Sequence, residues 1–196
     1  MNPITLQDLM TLEDYDKARS SLRQAVMVRK KNRLASIGPD VVLSFEDRTT
    51  ILYQVQEMLR VERIFKRAGI QEELDVYNPL IPDGSNWKAT MMIQIPDVAT
   101  RRQALTRLVG IESLCWVRVE DHDRIYAIAD EDMERSTEDK TSAVHFLRFE
   151  LPPVARDGVQ GGGRITMGID HPDYRYSLDP VPALLADSLR DDLVES

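Results

Sequence analysis

Apolar residues fall at helical spacing through the first third of the chain and at every second position through much of the rest. The stretch from Thr5 to Arg33, "TLQDLMTLEDYDKARSSLRQAVMVRKKNR", opens on cap residues at Thr5 or Thr11 and closes on basic residues, as helix termini prefer. "GPD" at Gly38 to Asp40 breaks it, and the β-rich "VVLSFE" that follows reads as a strand. A long helix is then expected from about Asp47 to Lys66, with Gly69 as its stop. It has apolar residues on more than one side, so it is expected to be central and covered on two faces.

The segment from Tyr77 to Lys88, "YNPLIPDGSNWK", is punctuated by Pro79, Pro82 and Gly84 and reads as the main irregular loop. Beyond it the period changes to that of strands. "KATMMIQI" precedes a compact helix capped by Asp97 and closed by Gly110. "SLCWVRV" and "RIYAIAD" flank the polar turn "EDHD" as a hairpin, and "SAVHFLRFEL" and "RITMGID" alternate across a glycine-rich connection. A short amphipathic helix ends the chain. The order gives an α+β fold: N-terminal helices and one long central helix on a largely antiparallel sheet of about five or six strands. It reads as a single domain, with a helical part over 1–40, an α+β core over 41–178 and a C-terminal helix over 179–196.

Composition narrows the function classes. The formal net charge is −8, which argues against a nucleic-acid binder, because phosphate contacts need a dominant basic surface. The basic cluster "VRKKNR", Val28 to Arg33, is expected to be a solvated helix end that complements the helix dipole. Cys115 is the only cysteine, so a disulfide within the chain and a multi-cysteine metal site are excluded. No stretch near Met1 has the pattern of a secretory signal, and no apolar run approaches the ~20 residues of a membrane span. A cytoplasmic protein with no membrane partner is expected.

Three ionisable residues stand where apolar ones are expected. On a helical wheel Glu62 falls among Ile51, Val55, Met58, Leu59 and Phe65, so it is expected under the sheet with a cationic or histidine partner. Strand alternation puts His145 with Ala143, Leu147 and Phe149 on an inward face, and His171 continues the inward parity of Ile165, Met167 and Ile169. If those two strands pair as a hairpin, the histidines become neighbours. With Glu62 they would form an open three-ligand site for zinc or iron. The alternative is a pair of core histidines held by hydrogen bonds and a glutamate held by an ion pair. Separately, Asp83, Asn86, Trp87 and Lys88 in the long loop offer polar and aromatic contacts for binding, unless the loop merely ties itself to the core.

The blocks "FEDRTTILYQVQEMLRVERIF", "EELDVYNPLIPDGSNWKATMMI", "LVGIE", "YAIADEDMERSTEDKTSAVHFLRFEL" and "DHPDY" carry a resemblance. The chain resembles a bacterial family known only as domain of unknown function 3501, over a span from about Leu6 to the last helix. That family supplies no catalytic residues. The resemblance implies a setting beside a rubrerythrin-like protein and an iron–sulfur oxidoreductase resembling heterodisulfide reductase subunits. The function expected from that setting is a non-catalytic accessory or interaction component of a redox or peroxide-detoxification module. The alternative, resting on Glu62, His145 and His171, is a metal-dependent enzyme or metal carrier.

Overall fold

The computed structural model describes residues 2–131, 133, 135–137 and 139–194. Helix α1 spans Leu12–Lys31, with the Thr11 hydroxyl accepting the Asp14 N–H at its start and Arg29, Lys30 and Lys31 in its last turn. Its end is abrupt. The strands β1 (Leu34–Ile37) and β2 (Val41–Phe45) follow as a hairpin. Residues 34–37, expected within the helical part, are thus the first strand. Gly38 turns the hairpin at φ +70°, and a Cβ there would lie 2.6 Å from the Tyr176 ring.

Helix α2 (Arg48–Val61) is capped by Asp47, whose carboxylate accepts the Thr50 N–H while the Thr50 hydroxyl accepts the Asp47 N–H. Such a cap contributes about 1 kcal/mol. The helix stops a turn earlier than expected, because Arg63 adopts the left-handed conformation at φ +54° and the Ile64 N–H returns to the Leu59 carbonyl. Gly69 is not a stop. It lies inside a second helix, α3 (Arg67–Tyr77), that the reading of the sequence missed.

Strand β3 (Asn86–Ile93) begins inside the expected loop. Helix α4 (Val98–Arg107) has the expected Asp97 cap. A 3₁₀ turn over Ile111–Leu114 leads into β4 (Cys115–Val119), and the short β5 (Ile125–Tyr126) and β6 (Ile128–Ala129) follow. The chain ends with β7 (Val144–Glu150), α5 (Pro153–Gln160), β8 (Ile165–His171), β9 (Tyr174–Leu178) and α6 (Ala183–Arg190). The connection between β7 and β8 is a helix, not a flexible hairpin loop, because "VARDGVQ" buries Ala155 and Val159 on one face behind a proline-start turn.

The fold is α+β, with the strands in two antiparallel sheets ordered β1-β2-β3-β7-β6 and β5-β4-β8-β9. The inward faces pack on each other around Leu43, Phe45, Trp87, Met91, Phe149, Val117 and Met167, with α4, α5 and α6 closing this core. A second, smaller core joins α2 and α3 through Ile51, Val55, Leu59 and Leu74. The sheets are stitched at both edges. At one, the segment expected as a single strand splits at Ala127, so that β5 pairs β4 while β6 pairs β7. At the other, the Tyr174 hydroxyl donates to the Ile37 carbonyl and accepts the N–H groups of Asp40 and Val41.

The basic cluster at the end of α1 is not simply a solvated patch. Arg33 is fully buried and uses all five of its N–H donors. Nε donates to the Phe45 carbonyl, one terminal nitrogen to the carbonyl and hydroxyl of Ser188, and the other to the Glu46 carbonyl and the Asp192 carboxylate. This cation ties the C-terminal helix to the β1–β2 hairpin.

Candidate functional site

Glu62, His145 and His171 are not brought together. Glu62 caps the C-terminus of α2 and is exposed, since the helix on whose wheel it was placed ends one residue before it. His145 and His171 lie on strands of different sheets, because α5 separates β7 from β8 and no β7–β8 hairpin forms. His171 is buried with both ring nitrogens used, Nε2 donating to the Val109 carbonyl and Nδ1 accepting the Asp173 N–H.

His145 does point inward and is fully buried, opposite Met91 of β3. Its partners are residues that period and spacing did not single out. The Asp130 carboxylate lies 2.5 Å from Nδ1, and the Thr141 hydroxyl 2.8 Å from Nε2. Glu112, only 8% exposed, comes within 3.7 Å of Nε2 and accepts hydrogen bonds from Ser136 at 2.7 Å and Thr141 at 3.1 Å. Asp130, Glu112 and His145 each present a ligand atom within 4.8 Å of the others.

Each group is positioned by a different element. Glu112 comes from the 3₁₀ turn after α4, and Thr141 is anchored to α4 by its N–H on the Leu105 carbonyl. Asp130 follows β6 in the left-handed conformation at φ +51°, which turns its carboxylate back onto β7. Asp is among the few residues that enter this region at a cost of about 1–2 kcal/mol. Its second oxygen accepts the Phe146 N–H at 3.1 Å and an Arg135 N–H at 3.3 Å. The only signals in the sequence were the inward parity of His145 and the polar run after Ala129. Nothing local pointed to Glu112. Cys115, beside this centre, is inert: burial, assisted by the Glu112 charge, pushes its thiol far above the usual range.

The opposite face of the same sheet carries a cleft of about 580 Å³ between the segment after α3 and strands β3 and β7. Asp83, Asn86 and Lys88 line it. Trp87 does not, since alternation along β3 sends it to the other face, where it is fully buried and its indole N–H donates to the Leu189 carbonyl. Lys88 donates to the Pro79 carbonyl, and burial lowers its affinity for a proton against the pull of Asp83. Burial opposes ionisation of Asp83, but the N–H and hydroxyl of Ser85 and the Asn86 amide outweigh it and hold that carboxyl below the usual range. Arg148 is bidentate to Glu131 and also reaches Glu150. The ring of Phe146 lines the cleft and carries the Arg135 guanidinium 4.6 Å away, so the cleft and the buried centre adjoin across β7.

Among the described residues no helix is long and apolar enough to cross a membrane. Curated proteins give no match to the chain. A solved structure, the crystal structure of a novel protein of unknown function from Burkholderia pseudomallei K96243 at 1.90 Å resolution, is 49% identical. The alignment covers 98% of this chain and 100% of that one, with a TM-score of 0.93. The model of a family described as protein of unknown function (DUF3501) matches residues 3–193, and the chain therefore belongs to that family.

Proposed function

We propose that the protein is a non-catalytic accessory component of a cytoplasmic redox or peroxide-detoxification module and holds a cationic segment of its partner in the outer-face cleft. The observation that carries this reading is the charge balance of the cleft. Glu46, Asp83, Glu131 and the adjacent Glu150 outnumber Lys88 and Arg148, and both cations are already engaged, Lys88 by a carbonyl and Arg148 by two carboxylates. A lysine or arginine side chain entering there meets a net negative charge over an apolar floor of Ala89, Phe146 and Leu147. The family resemblance supports an iron–sulfur oxidoreductase or a rubrerythrin-like protein as the partner.

The test is titration calorimetry of the purified protein against each of those two partners. Binding to one of them should weaken at least tenfold in the double substitution D83K/E131K and fall steeply with added salt. Unchanged affinity in the double variant would remove the cleft from the interaction. Absence of binding to both partners at tens of micromolar would remove the accessory role in this module.

A further inference from the structure

The contacts around His145 require more hydrogens than the residues carry. His145 Nδ1 to Asp130, His145 Nε2 to Thr141, Thr141 to Glu112 and Ser136 to Glu112 each need one hydrogen between the two atoms. An imidazole with one hydrogen and two hydroxyls supply one fewer than these contacts need, because ionised carboxylates only accept. The Ser142 carbonyl, 3.1 Å from Nε2, adds a further acceptor. Either a second proton on the imidazole or a cation makes up the difference. The charges are short in the same sense. Arg135 serves Asp130, but among the described residues the buried Glu112 has no lysine or arginine partner. A carboxylate buried with no cation carries a penalty of several kcal/mol. Two carboxylates flank one imidazole, Asp130 at Nδ1 and Glu112 near Nε2, and the group that supplies the missing positive charge is a second imidazole proton or a metal ion.

We propose that this point is a binding site for a divalent transition-metal ion, held by His145, Asp130 and Glu112. One imidazole nitrogen with two carboxylates is a mixed nitrogen and oxygen donor set suited to Fe²⁺, Mn²⁺ or Zn²⁺; Cu⁺, which prefers sulfur, is a poor match. Bonds of about 2.0–2.2 Å span most of the separation between the ligand atoms. Because Asp130 lies at Nδ1 and Glu112 nearer Nε2, an ion on one ring nitrogen requires the carboxylate at the other to turn toward it. The supporting contacts are already in place: Arg135 and the Phe146 N–H on Asp130, and Ser136 on Glu112. Since His145 is fully buried and Glu112 nearly so, the ion is tightly enclosed and joins the turn after α4 to the β6–β7 connection. This site is independent of the outer-face cleft and stands or falls without it.

The experiment loads chelator-treated full-length protein with Zn²⁺, Mn²⁺ or, anaerobically, Fe²⁺. Retained metal is counted by elemental mass spectrometry after desalting. One ion per chain and a raised Tm are expected for at least one of the three. Glu112→Gln is the discriminating variant, because its amide supplies the missing hydrogen to Thr141. It should fold and show a Tm no lower than that of the metal-free protein, yet retain less than a tenth of the metal. Wild-type protein that retains none and takes up none at micromolar concentration overturns the proposal, as does an E112Q variant that loads normally. Should E112Q not fold, X-ray absorption of the loaded wild-type protein decides. A nitrogen and oxygen shell with one imidazole is expected, and sulfur or a second imidazole in the shell overturns the assignment.

Discussion

Two buried polar centres hold this molecule together, and they are built in opposite ways. Around Arg33, five donors meet five acceptors, and nearby Asp47 adds negative charge 3.6 Å from Nε. Around His145, the acceptors exceed the hydrogens by one unless a second proton or a cation joins the imidazole. A saturated centre has no room for a further group and acts as a clamp between distant segments. A centre with two carboxylates on one imidazole is complete only when a proton or a metal ion supplies the missing charge. Buried polarity is therefore informative by its balance more than by its amount.

Breaking the clamp gives the largest expected effect. Arg33→Ala leaves the carboxylates of Asp47 and Asp192 with less positive charge and the carbonyls of Phe45 and Glu46 without a donor. Burial already pushes the Asp192 carboxyl up to about 6 despite the attraction of Arg33, so little compensation remains once the cation is gone. Urea denaturation should show a loss of about 3–5 kcal/mol. A loss under about 1 kcal/mol would mean that the C-terminal helix is held mainly by Leu185 and Leu189, not by the guanidinium.

Thr141→Val probes the other centre with a near-isosteric change. It removes the hydroxyl that lies between Nε2 of His145 and the Glu112 carboxylate. In metal-free protein the expected cost is about 1–3 kcal/mol, the penalty of leaving buried polar groups unpaired. With metal bound, both partners turn to the ion and the cost should drop to about half or less. An equal cost with and without metal would show that the hydroxyl is structural, and that the two centres differ less than their hydrogen counts suggest.

How far the sequence carried these features follows from the range of the interactions involved. Helix and strand periods recovered α1, α2, α4, α6 and the main strands, because a local period reports which face is buried. They missed α3, whose single buried residue, Leu74, leaves a faint stripe, and they ran α2 through Glu62 because a non-glycine residue ends it. The inward parity of His145 was legible from alternation alone. Its partners were not, since Glu112 reaches it from 33 positions earlier through a 3₁₀ turn. Strand pairing was the decisive unknown. "RIYAIAD" gives no local sign that the chain changes sheets at Ala127, and that crossing places Asp130 beside His145.

The smallest expected effect sets the scale for the others. Arg19 and Glu57 join α1 to α2 by a bidentate ion pair, 2.7 Å on each side, with the Tyr15 hydroxyl donating to the same carboxylate. Both side chains keep partial access to solvent, 28% for Arg19 and 20% for Glu57. The hydrogen bonds from Arg19, joined by that from Tyr15 and opposed by burial, hold the Glu57 carboxyl down at about 2, below its unfolded value of 4.5. A carboxyl depressed in the fold binds fewer protons there than in the unfolded chain. Its stabilisation is therefore present above pH 4.5 and is lost as the pH falls toward 2. Solvent screening reduces the worth of the pair to about 1 kcal/mol at neutral pH. Glu57→Gln should lower stability by about that amount at pH 7, leave it unchanged near pH 2, and flatten the acid limb between. Added salt should shrink the difference at pH 7, because a pair with access to solvent is screened more than a fully buried one. If the loss instead matched that of Arg33→Ala and resisted salt, enclosure would not be what makes the Arg33 clamp strong.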